Sequence, residues 1–247
     1  MSKLLARLRD ERGFTLIEVL IATIAGLLVA GAALAILATS YQMLANNADR
    51  VDANQQGRTA MLEIEQLLNS SCVAGLGVSP IVGGSSAGSG APPSGANSIT
   101  FLSSQSDLPT TLPYEEVVSL SGSGALQLQT YTNPSGSEPD WIFPTTATTT
   151  ATLVSHAGLV PGTSAIFQYY PYNSDGTVSS SADQLVGNYL PTSSAETVAG
   201  VKIQFEAAPT DGVTRAGGNV DFSDQVNLSL TPASSTGSSS GTPEPCT

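Results

Sequence analysis

The chain has 247 residues, of which 40% are hydrophobic and only 11% are charged, less than half the usual quarter of a soluble domain. Eight Lys and Arg against 20 Asp and Glu give a formal net charge of −12, which disfavours binding to a nucleic-acid phosphate backbone. One His and two Cys cannot by themselves form a four-ligand structural zinc site, and they leave little material for histidine-based catalysis. The composition therefore predicts a protein that is not an enzyme, with no cofactor and no metal.

The amino-terminal segment combines a short basic leader with a long apolar run. Residues 1–13 are rich in Lys and Arg, whereas residues 14–39 carry a charge only at Glu18. A helix over 14–39 is long enough to cross roughly 30 Å of hydrocarbon. Because the next basic residue is Arg50, the positive-inside rule places residues 1–13 in the cytoplasm and the rest outside. A cleaved secretory signal is the alternative, but its apolar core is shorter and ends at small residues.

Glu18 decides what kind of membrane segment this is. An ionisable group at membrane depth is costly and is by default a functional candidate, although Glu18 alone could also reach water near the headgroups. The stretch from Gly13 to Glu18 reads GFTLIE, and it lies directly after the basic leader and before the apolar helix. This arrangement resembles the type III signal of type IV prepilins and pseudopilins.

The resemblance implies a role for each matched residue. A prepilin peptidase would cleave after Gly13 and methylate the new amino terminus of Phe14. Glu18 would pair with the terminal amine of a neighbouring subunit and set the register of assembly, since each charge alone is costly in lipid and the pair offsets part of that cost. Thr15, Leu16 and Ile17 are interpreted as helix packing surface. The precursor is expected in the inner membrane, with its amino terminus in the cytoplasm, before the processed chain enters a periplasmic or cell-surface fibre.

A second helical pattern follows the apolar run. Apolar residues recur at three- and four-residue steps, which predicts an exported amphipathic helix over residues 40–76. Gly57, within the polar residues 52–58, predicts a bend or an exposed turn. The stretch QGRTAM at 56–61, followed by a Leu- and Glu-rich helix and Cys72, resembles the post-membrane helix of PilW-type minor pilins.

The remainder of the chain divides by composition. Residues 77–98 are rich in Gly, Ser and Pro and predict a flexible loop, and residues 231–247 predict a flexible tail. Between them, alternating apolar residues predict a β-rich domain over 99–230. Strands after one long helix indicate an α+β fold, in which an antiparallel sheet packs on the helix, and the pilin resemblance implies the same architecture.

Within this domain the clearest prediction is a β-hairpin. Residues 116–120 and 125–131 alternate on either side of the turn sequence GSG at 122–124. Residues 133–140 and 144–150 are rich in Ser, Thr and Pro and are interpreted as solvated loops.

Cys72 and Cys246 are the two cysteines of the chain. Export permits a disulfide and the even count favours one, whereas a free thiol in a mobile tail is the alternative. Candidate catalytic residues are few: His156 lacks a nucleophile motif around it, and the adjacent Glu115 and Glu116 would point to opposite faces of a strand.

These features together predict a PilW-like minor pilin that helps to initiate type IV pilus assembly. Its expected partners are the prepilin peptidase, other pilin or minor pilin subunits, and the inner membrane. No nucleic-acid partner is expected, because no Lys or Arg occurs between Arg58 and Lys202. The alternatives are a J-type minor pseudopilin of a type II secretion system and an adhesin, or binding module, at the fibre tip.

Overall fold

The computed structural model describes residues 14–72, 79–84, 90–104, 112–137, 140–173, 175–210, 218–228 and 246. The chain divides into two compact units, Met1–Asn47 and Ala48–Thr247. The helices are α1 (Leu16–Asn69) and the four-residue α2 (Thr192–Ala195). The strands are β1 (Ser98–Ser103), β2 (Tyr114–Leu120), β3 (Leu126–Tyr131), β4 (Ser135–Ser137), β5 (Asp140–Ile142), β6 (Thr149–Val154), β7 (Ala157–Gly158), β8 (Phe167–Pro171), β9 (Val198–Ala207) and β10 (Val220–Asn227).

Helix α1 is continuous over 54 residues, so residues 52–58 are helical and the alternative of an exposed turn there is wrong. Gly57 is buried, and a Cβ atom there would overlap the ring of Phe222 in β10. The glycine therefore allows a strand to approach the helix closely rather than breaking it. The helix ends at Asn69, before the predicted limit of residue 76, because the chain then joins the sheet: the Cys72 N–H donates to the Leu102 carbonyl at 3.0 Å.

Two antiparallel four-stranded sheets form the β-rich domain. The first has the order β1-β2-β3-β6, and its β2–β3 pair is the predicted hairpin, confirmed with Leu120 opposite Leu126. In the second sheet, β9 pairs with β10 on one side and with β7 and β8 on the other. The α+β arrangement of a long apolar helix and antiparallel sheets is thus confirmed.

The larger hydrophobic core lies between α1 and the inner faces of both sheets. The buried side of the helix contributes Ala60, Ile64 and Leu68, which repeat at helical spacing. Strand β9 contributes alternate residues, fully buried, namely Val201, Ile203 and Phe205. A second cluster contains Val117, Tyr131, Phe143 and both cysteines. Because Val118 belongs to the first cluster and Val117 to the second, the first sheet is covered on both faces.

Parts of the predicted loops are ordered by packing. In the segment predicted as a flexible loop over 77–98, Ile81 is 5% exposed and pairs with Phe101, and the Ser94 hydroxyl donates to the Thr100 carbonyl at 3.0 Å. Within the predicted loops 133–140 and 144–150, β4 pairs with β5 and β6 begins at Thr149. β-Branched threonines favour extended backbone, which the loop interpretation overlooked. Most of the predicted tail 231–247 lies outside the described residues, apart from Cys246.

Candidate functional site

The start of helix α1 is built by a local hydrogen-bonding motif. Thr15 precedes the first helical residue, and the Glu18 N–H lies 3.4 Å from the Thr15 hydroxyl and 3.0 Å from its carbonyl oxygen. The order Thr-x-x-Glu at such a position is that of a capping box, in which the hydroxyl accepts from an otherwise unpaired N–H of the first turn. Thr15 therefore caps the helix, a role that the Thr-x-x-Glu spacing could have indicated.

Glu18 lies in the first turn of α1, and its side chain is exposed in the isolated chain. A carboxylate at this position is stabilised by the positive end of the helix dipole. Phe14, which follows the predicted cleavage site, is 77% exposed. Gly13 lies outside the described residues. The geometry thus presents a carboxylate and an apolar ring at one end of a helix, both available to a neighbouring molecule.

The first unit exposes a long apolar surface. Up to Leu44 the large aliphatic residues of α1 are exposed, for example Leu27 at 73% and Val29 at 70%. The helix contains a window with a mean hydropathy of 2.6, of which none is buried, and it is long and apolar enough to cross a membrane. Three of its hydroxyl groups donate to carbonyl oxygens of the same helix: Thr23 to Leu20, Thr39 to Ala35 and Ser40 to Ile36. This pairing is what a polar side chain needs when no water is available.

Within the second unit, the polar residues of α1 contact the loop after β9. Asp52 accepts hydrogen bonds from the backbone N–H of Thr210 at 2.8 Å and from its hydroxyl at 2.7 Å, and these bonds lower the pKa of Asp52. The Gln56 amide also donates to Asp52 at 3.0 Å. The polar residues that predicted a turn are therefore contacts between the helix and the loop after β9.

The adjacent carboxylates of β2 lie on opposite faces of the first sheet, as predicted, but both are buried. Glu116 faces the core on the helix side, where the Thr130 hydroxyl donates to it at 2.8 Å; burial, with a further contribution from the negative charge of Glu63, raises its pKa to about 7. Glu115 is on the face of Tyr131, whose pKa is raised by burial and by the charge of Glu115. The two carboxylates do not form an acid–base pair around one substrate position.

Other candidate chemistry is not assembled in the part of the chain that the structure describes. His156 is exposed, and no group of three or more His, Cys, Asp or Glu side chains is placed to hold a metal ion among these residues. Cys72 and Cys246 form a disulfide with an S–S distance of 2.04 Å and both are buried at 3% exposure. The cysteines therefore link the end of the helix to the end of the chain.

Comparison with known proteins bears on the amino-terminal end alone. Residues 8–38 match the family model described as the prokaryotic N-terminal methylation motif. The chain carries a prepilin-type signal. No curated protein and no solved structure matches the chain.

The prepilin-type signal gives one explanation for the features of the amino-terminal end. It indicates a protein of the type IV pilin or pseudopilin type, and it implies processing by a prepilin peptidase and assembly with other pilins. The exposed apolar helix that follows it is consistent with membrane anchoring of the precursor. Within the motif, Thr15 caps the helix and Glu18 lies in its first turn.

Proposed function

We propose that this protein is a minor pilin of the PilW type, which takes part in the initiation of a type IV pilus through α1. The observation that carries the proposal is the prepilin-type signal joined to a helix whose large apolar side chains are exposed from Leu16 to Leu44. A helix with this surface needs either lipid or other helices around it. Lipid would surround the helix in the membrane before assembly, and other helices would surround it in the fibre afterwards.

Glu18 has a defined task in this proposal. After cleavage, its carboxylate pairs with the N-methylated amine of Phe14 on a neighbouring subunit and fixes the axial position of the incoming helix. The exposure of Glu18 in the isolated chain supports this role, because no partner within the described residues competes for the carboxylate. Removing one partner from a charge pair in an apolar environment costs about 3–5 kcal/mol, which is enough to abolish incorporation.

The test replaces Glu18 by alanine and measures incorporation into sheared fibres against the amount of protein in the membrane. We expect Glu18→Ala to be inserted and processed like the wild type but to enter fibres at least about tenfold less efficiently. Glu63→Ala is the matched control, since Glu63 is an exposed glutamate further along the same helix. Wild-type incorporation of Glu18→Ala would show that the carboxylate does not set the register.

The nearest alternative is a J-type minor pseudopilin of a type II secretion system, which would use the same signal and the same helix. The resemblance of residues 56–61 and the following helix favours the PilW type. Deletion of the gene, followed by assays of surface fibres and of exported proteins in the culture medium, separates the two. Loss of fibres with normal export is the expected result, and loss of export with normal fibres would assign the protein to the secretion machine.

A further inference from the structure

The outer face of strands β8, β9 and β10 carries two rows of polar positions. In β9 the buried residues, such as Val201 and Ile203, alternate with residues that face outward. Residues of β8 and β10 that pair with an outward-facing residue of β9 therefore lie on the same outer face. Each row contains residues that are directly paired across the three strands. The first row is Gln168, Lys202 and Gln225, and the second is Tyr170, Gly200 and Asn227.

Gly200 is the middle position of the second row, and it is buried. A Cβ atom there would lie 3.0 Å from the Asn227 Oδ1, so the Asn227 side chain lies over this position. A cavity of about 610 Å³ borders the two rows, lined by Tyr170, Lys202 and Asn227 from the sheet and by residues 178–180 at its rim. The side chains on both sides of Gly200 therefore line one cavity.

A second cavity of about 550 Å³ lies against the same tyrosine. Tyr170 lines both cavities, and Gln168 and Asp183 line the second. The Asp183 Oδ2 is buried, yet it has no hydrogen-bond partner among the residues that the structure describes. A buried acceptor without a donor is costly and indicates that a donor comes from elsewhere. The half-buried ring of Tyr170 is therefore common to the two cavities.

The lining of this site suits many hydroxyl groups rather than an apolar ligand. The Gln225 amide donates to Asn227 at 3.3 Å and the Tyr170 hydroxyl to Gln168 at 3.1 Å, so the side chains are held by one another. Gln225 and Asn227 line the first cavity, Gln168 lines the second, and Tyr170 lines both. The Lys202 ammonium has three donors, and it makes no hydrogen bond or ion pair within the described part of the chain. Ligand sites of this size are usually lined mostly by apolar side chains, so a polar lining indicates a polar ligand.

Charge restricts the class of ligand further. Asp183 lines the second cavity, and the whole chain has a formal net charge of −12. Sulfated or carboxylated sugars would be repelled, whereas a neutral sugar offers donors to the Asp183 carboxylate and acceptors to Lys202. The apolar face of a sugar ring also fits against an aromatic side chain such as Tyr170.

We propose that this face binds a neutral oligosaccharide, which lies across Tyr170 with its hydroxyl groups in the two cavities. The inference rests on the proposed function only in that export brings this face outside the cell. Binding itself is a property of the second unit and does not require fibre assembly. We name the residues that act in it the saccharide face: Gln168, Tyr170, Asp183, Lys202, Gln225 and Asn227.

The experiment uses the full chain, purified in a detergent without a sugar headgroup. Binding is measured to immobilised hexasaccharides of glucose, galactose and mannose, and to sulfated and carboxylated counterparts. We expect at least one neutral hexasaccharide to bind, and Tyr170→Ala and Gln225→Ala each to weaken that binding about tenfold. Gln66→Ala is the matched control, because Gln66 is an exposed amide of α1 that lines neither cavity. Thermal unfolding of each variant checks that the second unit remains folded.

Three outcomes contradict the proposal. Failure of every neutral hexasaccharide to bind would remove the site, and binding unchanged in both Tyr170→Ala and Gln225→Ala would place it elsewhere. Preference for the sulfated or carboxylated sugars would overturn the assignment of a neutral ligand. Glu18→Ala should bind sugars like the wild type whatever its effect on fibres, so failure of the two proposals can be told apart.

Discussion

Gly57 shows how one small residue determines a contact between two elements. In a helix, glycine is less favourable than alanine by about 1 kcal/mol, so its presence needs a compensating gain. The gain is the approach of Phe222, whose ring occupies the place of a Cβ atom and stacks on Phe205 with the ring centroids 5.4 Å apart. The glycine therefore lets β10 lie against α1 within the second unit.

We predict that Gly57→Ala destabilises the second unit in spite of the better helix propensity of alanine. Displacing the Phe222 ring should cost about 1–3 kcal/mol, and thermal or denaturant unfolding measures it. Gly26→Ala is the control, since a Cβ atom there meets nothing within 4 Å. A Gly57→Ala variant that is as stable as the wild type would show that the ring moves away at no cost.

Glu116 is the residue with the clearest expected effect of pH on stability. Its carboxyl group is buried beside the core, and burial raises its pKa from 4.5 to about 7. The folded state therefore keeps a proton that the unfolded state releases, and the free energy of unfolding falls as pH rises from 4.5 to about 7. Burial also raises the pKa of Glu65, where Asp224 adds to the effect, so its contribution has the same sign.

We predict that Glu116→Gln reduces this loss of stability. The amide keeps an acceptor for the Thr130 hydroxyl and cannot ionise, so up to about 3 kcal/mol of pH-dependent destabilisation should disappear. The free energy of unfolding of both proteins, measured between pH 4 and pH 8, tests this prediction. Glu196→Gln, at an exposed glutamate, should leave the slope of stability against pH unchanged. If Glu116→Gln keeps the wild-type slope, Glu116 is ionised in the folded protein.

At the scale of elements, the disulfide ties the end of α1 to the end of the chain. Cys72 follows the helix and Cys246 lies 174 residues further on, and the second hydrophobic cluster contains both. A cross-link over so long a loop restricts the unfolded chain strongly, by about 4–5 kcal/mol in the chain-entropy model. The same cluster covers the outer face of the first sheet, so the link and the packing support each other.

We predict that reduction of this disulfide lowers the stability of the second unit by about 4–5 kcal/mol. Thermal unfolding with and without a thiol reductant measures the difference. The Cys72→Ser, Cys246→Ser double variant should match the reduced wild type and should not respond to reductant. An unchanged unfolding temperature on reduction would mean that the link constrains little.

Elements differed in how well the sequence predicted them. The hairpin of β2 and β3 was predicted because alternation and a glycine-containing turn are local signals. The short β4–β5 hairpin was missed because its strands have only three residues each and β4 consists of Ser and Gly alone. The course of α1 through Gly57 also escaped prediction, since its cause, Phe222, is far away in the sequence.

At the scale of the whole molecule, the amino-terminal signal could be read from the sequence, whereas the saccharide face could not. The signal from Gly13 to Glu18 is a contiguous motif, and the match over residues 8–38 bears on that region alone. The saccharide face could not be predicted, because it joins residues of three strands through the register of β8, β9 and β10. The absence of enzymatic activity remains a prediction from composition.

The measurement that tests the central claim most directly is the intact mass and amino-terminal sequence of the membrane protein, made with and without a prepilin peptidase. We predict that the peptidase yields a chain beginning at N-methylated Phe14, and that without it the chain retains residues 1–13. A chain that begins at Met1 in both cases, or that is cut near Ala38, would contradict the claim, since neither product keeps a free amine next to Glu18 at the head of α1.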